Sequence, residues 1–279
     1  MVAQQQKRAG GEVVAVAVAG LMVCAGGCSV ERAGAEDARP GAASVDKLHR
    51  AAAALERAGS AKARTSMEMA TGGTRVTIRG EGVYDFTKQT GRLKVLLPQD
   101  PAGADEHRPI TELLAPGALF MKNRGAGVPA DKWVRVDTAT LPDGNLVTGG
   151  ATDPFAAAEL LRGTRTATYV GKTEVAGAPV RHYRGTVDLG VAAKSASKGN
   201  RKAIEAAAKG FATARVPFDA YLDEQGRIRK LRHRFSFVNG QQEGIVAVAS
   251  TTLLYDFGVP ADVRLPEPGD IFAGKIAEP

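Results

Sequence analysis

The chain has 279 residues, a formal net charge of +7, 44% hydrophobic residues and 24% charged residues. That balance excludes a disordered chain, a collagen-like repeat and a multi-span membrane protein, and the length admits one large domain or two small ones. Aromatic residues are only 5%, so an interior is filled mainly by Ala, Val, Leu and Ile, which build smooth aliphatic walls. The basic excess favours anionic surfaces such as phospholipid headgroups, envelope polymers or nucleic acid.

The chain opens with the cations Lys7 and Arg8, continues as an apolar run from Val13 to Val23, and ends that stretch in small residues. This is the order of a secretory signal peptide. The run is far shorter than the roughly 20 residues a helix needs to cross a bilayer. Next comes Ala25-Gly26-Gly27-Cys28-Ser29, which resembles the bacterial lipobox. Small residues there admit a peptidase to an extended backbone, and the thiol is alkylated to carry diacylglycerol with palmitate-type chains. The resemblance implies lipidation at Cys28, although Ala25 stands where Leu is usual. Ordinary cleavage near Cys24 and retention of the run as an anchor are the alternatives. Losing Lys7, Arg8 and Glu12 with the leader leaves the mature chain basic. Cys24 and Cys28 are the only cysteines, so cleavage before Cys28 leaves no internal disulfide and the core alone must hold the fold. Two acyl chains suffice for stable anchoring where one is marginal.

The expected organisation is a signal peptide over 1–27, a flexible tether over 28–43 broken by Gly34, Pro40 and Gly41, a domain over 44–268 and a tail over 269–279. Ser44 opens a helix to Ala58, with Val45, Leu48, Ala52 and Leu55 at helical spacing, Ser44 as N-cap and Gly59 as stop. From about Thr65 the period becomes two. In the stretch around Val76–Phe86, Val76, Ile78, Tyr84 and Phe86 share one parity while Arg75, Thr77, Arg79, Glu81 and Asp85 take the other. Gly80 and Gly82 lie on the apolar parity and mark a bend or a place of curvature. Short strands follow at 92–97, 119–123, 132–137, 167–170 and 180–189. A second helix is capped by Asp153, with Pro154 in its first turn and Gly163 as stop. A third covers 197–209 with Ile204, Ala207 and Ala208 inward. Strands at 216–222, 228–238 and 244–255, joined by turns at Asp223–Gly226 and Asn239-Gly240, form an antiparallel meander.

The lipobox ending at Cys28, the first helix, the strand around Val76–Phe86, the hairpin Val216–Phe235 and the ending Thr251–Pro268 together resemble the actinobacterial LppX/LprG-type lipoproteins, which share the fold of the lipoprotein carriers LolA and LolB. The resemblance implies an α+β fold: a strongly curved antiparallel sheet, an unclosed half-barrel, covered by about three helices with an apolar cavity between. It implies a membrane-anchored exported lipoprotein that binds a lipid or lipoglycan-type ligand for transport or presentation. The alternative is a sensor lipoprotein of the same fold that binds an envelope protein partner.

On the apolar parity, the cavity candidates are Val76, Ile78, Tyr84, Phe86, Leu93 and Val95, with Leu48 and Leu55 from the covering helix. A filled core and an open cavity give the same strand pattern. Lys230, Arg232 and Arg234 share a parity on one strand and are candidates for a headgroup or partner contact, or a solvated face that discourages edge pairing. Gly171-Lys172-Thr173 ends like a phosphate loop, but Thr166 stands where that loop needs Gly. His49, His107, His182 and His233 lack metal-site spacing, and there is no GxSxG elbow or body cysteine. No cofactor, metal or enzymatic activity is expected, nor a nucleic-acid partner outside the membrane.

Overall fold

The computed structural model describes residues 41–274 apart from 72–73, 98–107, 126, 148–150 and 239–244. The signal peptide, Cys28, nearly all of the tether, His107 and the Asn239-Gly240 turn lie outside the described residues. Every element below falls within one compact unit, Glu36–Pro279.

Two short helices, α1 (Ala42–His49) and α2 (Ala51–Ala58), precede β1 (Ser60–Thr71), β2 (Thr74–Asp85), β3 (Thr90–Leu96), β4 (Ile110–Ala115), β5 (Ala118–Lys122) and β6 (Val134–Asp137). Helix α3 (Pro154–Leu160) leads into β7 (Thr164–Val175) and β8 (Ala178–Asp188). Helices α4 (Leu189–Ser195) and α5 (Lys198–Gly210) precede β9 (Arg215–Leu222), β10 (Ile228–Val238) and β11 (Ile245–Tyr255). The strands form one 11-stranded sheet in the order β6-β5-β4-β3-β2-β1-β11-β10-β9-β8-β7. Neighbours are antiparallel throughout. The edge strands β6 and β7 are not neighbours, so the barrel stays open and the expected α+β class holds.

Three local expectations change. The single helix from Ser44 is two helices: the chain turns helical at Ala42 after Gly41, Ser44 sits inside the first turn, and Arg50 with φ −86° and ψ −7° interrupts the run. Gly59 does end it, at φ 80°. The strand expected to run to Leu189 stops at Asp188, whose carboxylate accepts the Val191 N–H at 3.0 Å and starts α4. There are thus five α-helices among the described residues where about three were expected. Strands β1 and β4 were not anticipated as separate elements. The first is built on Ala, Lys, Met and Glu, which are poor strand signals, and the second is buried on both faces, which erases alternation.

One face of the sheet, here the inner face, carries Ala61, Ala63, Tyr84, Phe86, Leu93 and Val95 on one side of the β1–β11 seam and Phe218, Leu231 and Phe235 on the other. The helices lay Leu48, Leu55, Phe155 and Ile204 against it in one continuous core. Gly82 serves close approach: a Cβ there would stand 1.9 Å from the Arg92 carbonyl oxygen.

Helix α3 follows its sequence signals, with the Asp153 carboxylate accepting the N–H groups of Phe155 at 2.7 Å and Ala156 at 3.0 Å. Helix α5 does not cap itself, since Ser197 makes no side-chain cap bond. The fully buried Glu159 of α3 does this instead, accepting the Ser197 N–H at 2.8 Å, the Ser197 hydroxyl at 2.9 Å and the Asn200 amide at 2.8 Å. Glu159→Ala is therefore expected to cost on the order of 3 kcal/mol, and Glu159→Gln about half of that, because the buried Asn200 and half-buried Ser197 lose their carboxylate acceptor and Arg162 loses an ion-pair partner at 3.4 Å. Urea unfolding checks this, and an unchanged midpoint for Glu159→Ala would show that the cap is dispensable.

Candidate functional site

The inner face is sealed in its middle and partly open at one end. Of the cavity candidates, Leu48, Leu55, Tyr84, Phe86, Leu93 and Val95 are buried within the core. Val76 and Ile78 lie on the same face of β2 but are half-buried. Register places them beside Met69 and Met67 of β1, and Met69 in turn beside Val248 of β11. Met69, Ile78, Leu97, Phe237 and Val246 are all half-buried at this end, packed on the margin of the core. The apolar face thus runs past the part that is fully covered.

Polar groups interrupt the inner face at a few points. Tyr84 donates to Asp153 at 3.1 Å, tying β2 to the start of α3. Burial pushes the Asp153 carboxyl up to about 6, although the Ala156 and Phe155 N–H groups and the Tyr84 hydroxyl pull the other way. Thr152 and Ser250 share a hydrogen bond of 2.6 Å between hydroxyls. Glu112 of β4 has no exposed surface, and neither carboxyl oxygen makes a well-formed hydrogen bond among the described residues. Burial pushes its carboxyl up to about 8, against the weaker opposite pull of Arg124 and the Ala151 amide. His233 of β10 is buried, with no hydrogen bond to Nε2 among the described residues, between Phe218 and Phe235 at ring distances of 6.4 and 5.7 Å. Burial alone pulls its imidazole down to about 3.

The outer face is charged. Lys230, Arg232 and Arg234 do project together, as expected from their parity, and each is engaged: Lys230 lies 5.2 Å over the Tyr221 ring, Arg232 is 3.6 Å from Glu68 and Arg234 donates to Asp219 at 2.7 Å. Asp219 also accepts from Arg184 at 2.9 Å and pairs with His182 at 2.8 Å, whose ring stacks on Tyr221 at 4.3 Å. Burial would raise the Asp219 carboxyl, but these three partners outweigh it and bring it down to about 2.

Sequence reasoning missed Glu159, Glu112 and the Asp219 cluster. A Glu in an Ala-rich helix reads as a solvated residue, and only the α3–α5 packing shows otherwise. Gly171-Lys172-Thr173 lies within β7 at a shift in register, away from any helix start. Asp223 shapes the β9–β10 turn, accepting the N–H groups of Gln225 at 3.1 Å and Arg227 at 2.9 Å. His49 bonds the Thr164 carbonyl at 3.1 Å. Among the described residues no group of three His, Cys, Asp or Glu could hold a metal ion, and no helix is long and apolar enough to cross a membrane.

No protein-family model matches the chain, and no curated protein matches its sequence. Solved structures are similar in shape. Lipoprotein LppX of Mycobacterium tuberculosis is 9% identical, with 80% of this chain and 98% of that one covered at a TM-score of 0.47. LprF from Mycobacterium bovis is 14% identical, with 82% and 98% covered at 0.40. A LolA superfamily protein from Nitrosomonas europaea is 10% identical, with 77% and 94% covered at 0.34.

Proposed function

We propose that the chain is an exported lipoprotein, tethered through a diacylglyceryl group on Cys28 to the outer leaflet of the cell membrane, whose domain takes up the acyl part of a lipid or acylated molecule for transport or presentation. The observation that carries this reading is the incomplete cover of the inner face, where Met69, Val76, Ile78, Leu97, Phe237 and Val246 continue an apolar surface beyond the sealed core. An acyl chain leaving a bilayer exposes apolar surface at about 0.8 kcal/mol per CH₂. An apolar face that receives it removes most of that cost, and no covalent chemistry is required. The layer over the face is rich in small side chains, among them Ala51, Ala52, Ala157, Ala158, Ala192 and Ala207.

The test is native mass spectrometry with lipid extraction on the chain from Ser29 onward, expressed in a bacterium with ordinary phospholipids. One lipid per chain is expected. Ile78→Glu, which sets a charge at the open end, is expected to lower occupancy at least about tenfold with a melting curve near that of the parent. Full occupancy in that variant would move the site elsewhere, and a clean apo mass with no uptake from added lipid would turn the reading to a partner-binding lipoprotein.

A further inference from the structure

In an antiparallel sheet with one wet face, outward residues are polar at every second position. Two stretches break this rule. On β4 and β5 the outward Leu113, Ala118 and Phe120 are buried because the C-terminal segment packs Val263 and Ile271 over them. That segment is held by the Trp133 N–H to the Asp270 carbonyl and the Phe272 N–H to the Trp133 carbonyl, both 2.8 Å. On β11 the outward Ile245, Ala247, Ala249 and Leu253, broken by Thr251, make a second largely apolar row, and this row stays open. Ile245 is 69% exposed, Ala247 is exposed, and Ala249 and Leu253 are half-buried.

The row lies in the middle of the sheet, between β10 and β1, and cations border it on both sides. Lys230 stands opposite Leu253 and Arg234 opposite Ala249 on β10, while on β1 Arg64 stands opposite Leu253 and the carboxylate Glu68, which pairs with Arg232 at 3.6 Å, stands opposite Ala249. Toward β3 the surface dips into a groove of about 470 Å³ that holds Leu253, Leu96, Arg64, Arg79 and Lys94. Leu96 is 51% exposed. The groove's carboxylate, Glu81, is taken by Arg64 at 3.0 Å and by the Tyr255 hydroxyl at 3.2 Å. Arg79 and Lys94 have no ion pair among the described residues.

We propose that this outer face docks on an anionic lipid bilayer, with the β11 row and Leu96 entering the headgroup layer and Arg79 and Lys94 set against lipid phosphates. Apolar area flanked by cations is the chemistry of an interfacial membrane contact. A second copy of this chain fits less well, because a two-fold contact would bring the same cations face to face. The docking is independent of lipid uptake at the inner face and of the anchor at Cys28.

The experiment is co-sedimentation of the chain from Ser29 onward, which contains every described element, with vesicles of phosphatidylcholine alone or mixed with phosphatidylglycerol. Binding to the anionic vesicles only is expected, weakening with salt. Arg79→Glu with Lys94→Glu is expected to reduce it at least about tenfold, and Leu96→Asn severalfold, since each cation and each apolar side chain adds to the contact. Lys202→Glu with Lys209→Glu, exposed on α5, is expected to bind like the parent. Equal binding to both vesicle types, parental binding by Arg79→Glu with Lys94→Glu, or an equal loss in the α5 variant would overturn the proposal. So would a dimer in analytical ultracentrifugation that Ile245→Asp dissolves, since the face would then belong to a second copy. Native mass spectrometry separates this from lipid uptake, because the Arg79→Glu, Lys94→Glu variant is expected to keep the parent's bound lipid.

Discussion

Glu112→Gln is expected to stabilise the domain, by on the order of 3 kcal/mol near neutral pH, and to do so more as pH rises. The side chain has no exposed surface and no well-formed hydrogen bond among the described residues, and burial, outweighing Arg124 and the Ala151 amide, lifts its carboxyl from an ordinary 4.5 to about 8. Below the unfolded value of about 4.5 the carboxyl is protonated in both states, so the substitution changes little there. Between that value and about 8 the unfolded chain releases a proton that the folded chain must keep, so native stability falls as pH rises. Above it the penalty is complete. An uncharged amide of similar shape removes this slope. Urea unfolding of parent and variant across the range checks it: a difference that does not grow with pH would mean that Glu112 is solvated in the native state.

His233→Phe is expected to act at the opposite end of the scale. Burial alone draws the imidazole from an ordinary 6.5 to about 3, so the folded protein holds it neutral while the unfolded chain takes up a proton. Its folded value is depressed, so native stability is intact above about 6.5 and is lost as pH falls toward 3. The full loss is roughly 5 kcal/mol, with about 2 kcal/mol of it present near pH 5. Phe fits a site already flanked by Phe218 and Phe235 and removes the proton acceptor. Thermal melts against pH should show the variant losing less stability than the parent on acidification. Parallel curves would mean that His233 is protonated in place. Since Glu112 and His233 tilt the profile in opposite directions, the double variant is expected to be flatter at both ends.

What the sequence made legible was local. Asp153 and Pro154 announce the start of α3, Asp223 and Gly226 announce a turn, and alternation from Val76 to Phe86 announces β2, because each signal is read over a few neighbouring residues. The inner face of β2 could be listed by parity, yet parity does not separate Ile78, half-buried at the open end, from Tyr84, sealed beneath α3. That difference is set by where helices from distant parts of the chain come to rest. Lys230, Arg232 and Arg234 were visible as a basic row, but their partners Tyr221, Glu68 and Asp219 lie on other strands and follow from register alone. Glu159 shows the same limit, since the helix whose end it caps begins 39 residues later at Lys198. The two-sided apolar pattern of β11 was in the sequence throughout; it gains meaning only beside β4 and β5, where the chain covers its own second face.

The pairing of β1 with β11 has a kinetic consequence. Lys62 lies opposite Tyr255 and Ala70 opposite Ala247, so the seam at the centre of the sheet joins the first strand made to the last. Such distant pairings must overcome the entropy of closing a long loop before any contact rewards it, and they slow folding. Until β11 arrives, β1 presents an unpaired edge in mid-sheet, and the hairpins on either side of it have only each other or foreign chains to pair with. Synthesis from the N-terminus prolongs this exposure, because β1 is made first and waits for nearly the whole remaining length. Loss of the last strand would therefore leave two open half-sheets rather than a slightly shorter domain.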